Sequence, residues 1–249
     1  MRIAVVGGAG TVGKHITAQL ADSGHEVRVL SRHSREFPVD LTSGQGLASA
    51  LAGCDVVVDS SHSQRQARQV LVEGTARLLA AEQQAGVGHH VAISIVGCDE
   101  VPYGYQKIKV EQERVVERGS VPWTIVRATQ FYELVAQVLA AAGGYRLLPA
   151  PNMPLQPVAA ADVGRAVAGA AVAYPRRGRI SVAGPEVATA RQLARTWLSV
   201  TGRSAALIPV PLPGRTGRKL RDGALIPRQP DVTGTITFAD WLAAQVASG

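Results

Sequence analysis

Tyr103, Tyr105, Lys107 and Lys109 form two overlapping Tyr-x-x-x-Lys pairs in the stretch Pro102 to Glu113. In a helix, either spacing puts a phenol and an ammonium on one face. An unperturbed tyrosine has a pKa of about 10, so exchanging a proton near neutrality is helped by a cation that favours its phenolate. The lysine would supply that cation and bond a sugar hydroxyl. Ser94, eleven residues before Tyr105, adds a hydroxyl near the end of an apolar run. Without context, the same residues describe a packed tyrosine at a helix start and a solvent lysine, with Lys109 pairing to Glu113.

The context is the stretch from Val5 to Gly13, where Ile3 to Val6 meets glycines at 7, 10 and 13 and then a helical pattern carrying Ile16 and Leu20. Glycines between a strand and a helix fit a dinucleotide pyrophosphate. Gly7 permits a tight turn, Gly10 lets the backbone approach the phosphates, and Gly13 lets the helix lie against the strand. Thr11 and Val12 share that turn, and the free amides at the helix start hold the anion.

The elements that must position these groups follow in order. His15 to Ser23 reads as a helix stopped by Gly24, and Glu26 to Leu30 as the second strand. Where an NAD site would place a carboxylate for the ribose hydroxyls, this chain has Ser31-Arg32-His33-Ser34-Arg35. Arg32, with the Ser31 hydroxyl, suits a 2′-phosphate and so favours NADP; Glu36 leaves room for NAD.

Phe37 to Leu41 reads as a third strand that brings Asp40 and Leu41 to the adenine. After a helix from Gly46 to Ala52, Cys54 to Asp59 is the fourth strand, and Ser60, Ser61 and His62 follow its carboxyl end, where open parallel sheets bind ligands. Ser60 and Ser61 are expected at the cofactor. His62, a lone histidine on a loop, reads as a surface residue, with an acid or base role or a substrate contact as the alternatives. Arg65 to Ala85 has the length of one helix, Val87 to Val96 gives the fifth strand, and a helix runs from the tyrosines to about Glu117.

Val121 to Arg127 is the sixth strand. Thr129 and Gln130 beyond it should close over the nicotinamide and substrate, while Phe131 and Tyr132 either wall an apolar pocket or belong to the core. A helix from Leu134 to Ala142 ending at Gly143-Gly144, a loop from Leu147 to Pro157, and a helix from Val163 to Ala173 capped by Asp162 come next. Then follow a strand (179–183), a helix (190–200), a strand (207–212), a basic stretch (213–221) and a helix (238–246). The basic stretch reads as a solvated loop or helix face, with an anionic contact as the alternative.

The motifs Gly7 to Gly13, Val91 to Gly97, Tyr105 to Glu113, Val121 to Phe131, Pro157 to Val163 and Ala183 to Glu186 resemble the NmrA-like atypical short-chain dehydrogenase/reductases. The likeness covers most of the chain. It implies an α/β doubly wound parallel sheet of Rossmann type, usually with NADP, and a smaller C-terminal part shaping a substrate pocket. Residues 1–249 would be a single unit, with a core of 1–145 and a substrate side of 146–249. The resemblance also selects Tyr105 and Lys109 as the working pair, because the family's lysine lies four residues before a glutamate. Ser94 would polarise a carbonyl, Tyr105 protonate it as hydride arrives, and Lys109 tune Tyr105 and hold the ribose. Some members bind the cofactor only to sense redox state, so the alternative is a non-enzymatic NADP(H) sensor with a protein partner.

Composition bounds the rest. Two cysteines among 249 residues make no disulfide framework, and no Cys/His spacing suits zinc. The net charge of +7 is mostly arginine and is scattered outside the basic stretch, so no nucleic-acid partner is expected. With no signal peptide and no apolar run of membrane-spanning length, the chain reads as a cytoplasmic protein. Its partners would be a small-molecule substrate and, in a homodimer, a second copy of itself.

Overall fold

Ile3 to Val6 is buried on both sides, as a strand inside a sheet covered by helices must be. The computed structural model describes residues 1–142 and 147–247. Its first strand, β1 (Arg2–Val6), is followed by α1 (Gly13–Asp22) and β2 (Glu26–Leu30), with Leu30 beside Val6. The chain then crosses β1 through α2 (Leu47–Leu51) and forms β3 (Val56–Asp59) on its other side. That reversal opens a crevice at the carboxyl ends of β1 and β3.

A π-helical turn, Gln69–Gly74, leads into α3 (Thr75–Ala85), then β4 (His89–Ile95), α4 (Tyr105–Arg118), β5 (Trp123–Ala128) and α5 (Tyr132–Ala142). After β6 (Leu147–Pro151) and β7 (Pro154–Leu155) come α6 (Ala160–Val172), β8 (Gly178–Ala183), β9 (Ala188–Thr189) and α7 (Ala190–Thr201). The chain finishes with β10 (Ala206–Val210), α8 (Gly214–Arg221), β11 (Val232–Thr233) and α9 (Phe238–Ala247). The main sheet is parallel throughout, in the order β11-β8-β5-β4-β3-β1-β2.

Side chains alternate between the sheet's two faces. Ile3, Val5, Val58, Val91 and Val126 pack with α1 and α6; Ala4, Val57, Ala92 and Ile125 pack with α2, α3 and α4. A third cluster gathers Tyr132, Leu148, Trp197, Phe238 and Leu242 from α5, β6, α7 and α9.

Several expectations need correction. Phe37 to Leu41 is not a strand: Pro38 offers no N–H, and the Asp40 carboxylate accepts the Thr42 amide and hydroxyl, so only isolated bridges remain. The long helix expected from Arg65 to Ala85 is continuous from residue 67 to 85 but contains the π turn, which sets Gly74 against Leu41, where a Cβ would stand 2.9 Å from the Leu41 Cβ. The stretch Leu147–Pro157 holds β6 and β7, and β6 pairs with β10. Asp162 does not cap its helix, which starts two residues earlier. Its carboxylate instead accepts the amides of Thr235 and Ile236, fastening the C-terminal segment to α6. The basic stretch, by contrast, is as expected a largely exposed helix face, α8, from which Lys219 donates to the Glu100 carbonyl. Gly143-Gly144 lies outside the described residues.

Candidate active site

The glycine turn leaves β1 into the crevice. Gly7 has φ +71°, and its amide donates to Leu30 O at 2.9 Å, tying the turn to the end of β2. A Cβ on Gly13 would stand 2.1 Å from Gly7 O, so only glycine lets α1 start there. Among the described residues the amides of Thr11, Val12 and Gly13 have no protein acceptor. A cradle closed to side chains and lined with unused donors at a helix N-terminus fits a dinucleotide pyrophosphate. Val12 itself turns into the core, while Gly10 and Thr11 are exposed.

Ser31 and Arg32 emerge directly beyond Leu30. The Ser31 hydroxyl accepts the His33 amide, and the exposed Arg32 makes no hydrogen bond or ion pair among the described residues. Asp40 lies within Arg32's field, its carboxyl held below the usual range chiefly by the Thr42 hydroxyl and amide. Leu41, expected at the adenine, is buried in the core against Gly74.

Beyond β3 the three consecutive residues divide their work. Ser60 donates its hydroxyl to Val6 O at 2.6 Å and braces the glycine turn. Ser61 donates its amide to Asp59, and its buried hydroxyl has no hydrogen-bond partner among the described residues. His62 reaches across to α4, where its Nδ1 lies 2.8 Å from the Tyr105 hydroxyl, the rings 5.3 Å apart. Burial, and then the nearby Lys109 charge, hold the His62 ring below its ordinary pKa. Burial, and then Asp59, push the Tyr105 phenol above its ordinary value, so it stays protonated at neutral pH.

Lys109 and Ser94 depart from what was expected of them. Lys109 does not bond Tyr105. Its ammonium, 5% exposed, donates to Ile93 O at 2.7 Å and to Gln112 Oε1 at 2.6 Å, and burial lowers its pKa. Gln112 in turn donates to Asp59 at 3.0 Å and to Thr75 at 3.1 Å. This buried chain, Asp59–Gln112–Lys109, joins the end of β3 to α4. Asp59, Thr75 and Gln112 were not picked out from the sequence; the signal available was Gln112 three residues after Lys109, one turn along the same face.

Ser94 faces the layer beneath α4, the side that Ala92 shares, and is 3% exposed. Its hydroxyl lies 3.9 Å from Cys98 Sγ and supports the Glu113 carboxylate, about 12 Å along α4 from Tyr105. Ser94 is therefore not placed to polarise a substrate held at Tyr105. Glu113 receives two bonds from Arg127 and one from Arg179. Burial alone would raise that carboxyl; these partners outweigh it and hold it low.

Past β5, Thr129 is buried and turns its hydroxyl to Gln156 O at 2.6 Å, bracing the end of β5. Gln130 keeps a buried Oε1 without a partner, and Phe131 is half-buried against the main core. Tyr132 is no pocket wall. It is 1% exposed, donates to Ile236 O at 2.8 Å and packs on Phe238 and Trp241. Among the described residues no group of three or more metal-ligating side chains occurs, and no helix is long and apolar enough to cross a membrane.

The family described as NAD(P)H-binding matches residues 7–172. Over 218 residues the chain is 30% identical to (4-alkanoyl-5-oxo-2,5-dihydrofuran-3-yl)methyl phosphate reductase of Streptomyces griseus, covering 81% of this chain and 74% of that one. It is 32% identical over 149 residues to the photosystem II assembly factor Ycf39 of Synechocystis, 53% of this chain and 46% of the relative. The chain thus spans about half the length of that relative, or less. Among solved structures, an Escherichia coli NADPH-dependent quinone oxidoreductase in complex with NADPH superimposes with a TM-score of 0.80 at 18% identity, covering 98% of this chain and 99% of that one.

Proposed function

The chain belongs to the NAD(P)H-binding family, as an NmrA-like atypical short-chain dehydrogenase/reductase, and from that premise we propose that it is an NADP-dependent reductase of a small, apolar carbonyl, quinone or activated alkene. The observation that carries the reading is the convergence, at one crevice, of the glycine cradle, the unpaired Ser61 hydroxyl and the Tyr105 phenol. When bound, the reduced nicotinamide supplies hydride.

The protein's own groups do the rest. Thr11, Val12 and Gly13 amides hold the pyrophosphate, and Arg32 with Ser31 takes the 2′-phosphate by charge-assisted bonding. An ammonium has three donors, and two of Lys109's are spent on Ile93 and Gln112, leaving one for a ribose hydroxyl. Tyr105, kept protonated by burial, gives its proton to the substrate oxygen. Gln130, with an unmatched buried carbonyl oxygen, and Phe131 border the substrate. Activity on a phosphorylated furanone in the Streptomyces relative, and on quinones in the Escherichia coli structural neighbour, supports testing both substrate types.

The test is NADPH oxidation against a panel of carbonyls, quinones and activated alkenes, a phosphorylated furanone among them. Turnover that falls about 10²-fold in Tyr105→Phe on a carbonyl supports the acid role. Turnover of quinones that survives the substitution makes Tyr105 dispensable and the reaction a direct quinone reduction. NADPH binding without any turnover favours the sensor reading.

A further inference from the structure

His62 and Tyr105 are 43 residues apart in sequence, yet the crossover from β3 to α4 leaves imidazole and phenol in hydrogen-bond contact at 2.8 Å. We propose that His62 is the proton relay of the site, refilling Tyr105 from solvent after each protonation of substrate. The inference rests on the reductase reading above and goes beyond it, because it assigns the relay to a residue outside the Tyr–Lys pair.

Three features carry it. Lys109, the cation expected beside Tyr105, is bonded to Ile93 O and Gln112 instead. His62 is the titratable side chain hydrogen-bonded to the Tyr105 hydroxyl among the described residues, and the two rings are tilted together at 56°. Finally, Tyr105 is half-buried while His62 is exposed, so the ring spans the distance between a shielded donor and bulk water.

The charged groups bearing on the pair are Asp59 at the end of β3 and Lys109 on α4. The Lys109 charge, added to burial, disfavours an imidazolium, so the ring rests neutral and passes a proton rather than storing one.

The proton balance is simple. Hydride from the reduced nicotinamide adds to the carbonyl carbon, the carbon–oxygen π pair moves to oxygen, and that oxygen takes the proton of Tyr105 Oη. The phenolate takes the proton on His62 Nδ1 while Nε2 accepts one from water, the hydroxide left behind being neutralised by the solvent buffer, and solvent exchange at the exposed ring restores the starting tautomer. One solvent proton is consumed per carbonyl reduced.

The experiment compares wild type, His62→Ala, His62→Gln and Tyr105→Phe in steady-state kinetics across pH, with and without added imidazole, alongside NADPH titration. Imidazole-ring NMR of the cofactor-free protein is recorded in parallel. We expect His62→Ala to bind NADPH as wild type does, to lose about 10²-fold in kcat, and to recover with imidazole while Tyr105→Phe does not. Tyr105→Phe should shift the His62 ring resonances and its titration midpoint. Wild-type turnover left unchanged in His62→Ala, or lost in it without imidazole rescue, overturns the relay and leaves the reductase reading intact. Absence of turnover in the wild type despite NADPH binding overturns the reductase reading, and the relay with it.

Discussion

At the scale of single residues, the site depends on groups whose bonding is already settled by the fold and on groups left unpaired. Ser60, Thr129 and Ser94 belong to the first kind, since each spends its hydroxyl on a backbone carbonyl or a buried neighbour. Ser61, Arg32 and the amides after Gly10 belong to the second. Gly13 shows how narrow the cradle is, because a methyl there would collide with Gly7 O at 2.1 Å and Gly8 Cα at 2.7 Å. We expect Gly13→Ala to lose NADPH binding at least tenfold in a fluorescence titration. Unaltered affinity would mean that the turn does not hold the pyrophosphate. The sequence made these glycines legible because their spacing falls between an apolar strand pattern and a helical one. It made Ser94 misleading, because a strand residue's face depends on which layer lies above it.

At the scale of elements, α4 organises the site from both ends. Its first residue, Tyr105, projects to the crevice, while Glu113 two turns on anchors the helix to β5 and β8 through Arg127 and Arg179. Removing one partner of a buried ion pair costs about 3 to 5 kcal/mol, as the other charges are left uncompensated. Glu113→Ala should therefore lower stability by about 3 kcal/mol in urea denaturation; a loss below about 1 kcal/mol would show the anchor to be dispensable. Gln112→Leu is the finer probe. It removes the link from Asp59 to Lys109, so cofactor affinity should fall several-fold with little change in the substrate's KM.

Most of the strand and helix order was legible from local periodicity, and the paired Tyr-x-x-x-Lys motifs fall at the start of a helix, α4, as their spacing predicts. The Phe37–Leu41 turn, the π turn and the seventh strand, β11, were not. The first is local turn chemistry at Pro38 and Asp40–Thr42 that the apolar pattern masked; the other two go with contacts distant in sequence, Gly74 against Leu41 and Val232 beside Val182. The His62–Tyr105 pair was hidden for the same reason.

At the scale of the whole molecule, the two faces of the sheet carry buried histidines with opposite behaviour. His89, held by Thr124 at 2.9 Å, is driven down to about 4 by burial and the adjacent His90. His90 is fully buried; burial opposes its charge, but the Glu82 carboxylate at 2.8 Å outweighs that and raises its pKa. A histidine whose folded pKa lies below its unfolded value contributes stability above the unfolded value of about 6.5, and this is lost as pH falls toward the folded value. The loss from His89 is up to about 1.4 kcal/mol per pH unit. Comparing urea midpoints at pH 7 and 4.5, we expect His89→Gln to show a pH-dependent loss smaller than wild type by about 2 kcal/mol. The Glu82–His90 pair is present in both proteins. Equal losses would show that His89 is not buried neutral. The C-terminal third is held by the same logic of matched polar groups, Asp162 to the amides of Thr235 and Ile236 and Tyr132 to Ile236 O.

The most direct test of the central claim is a titration of the wild type and Arg32→Ala with NADPH and NADH, followed by nicotinamide fluorescence. The NADP assignment requires NADPH to bind at least tenfold more tightly than NADH in the wild type, with the preference gone in Arg32→Ala and NADH affinity unchanged. Equal affinities in the wild type would reassign the cofactor to NAD, and no binding of either would contradict the account of the crevice altogether.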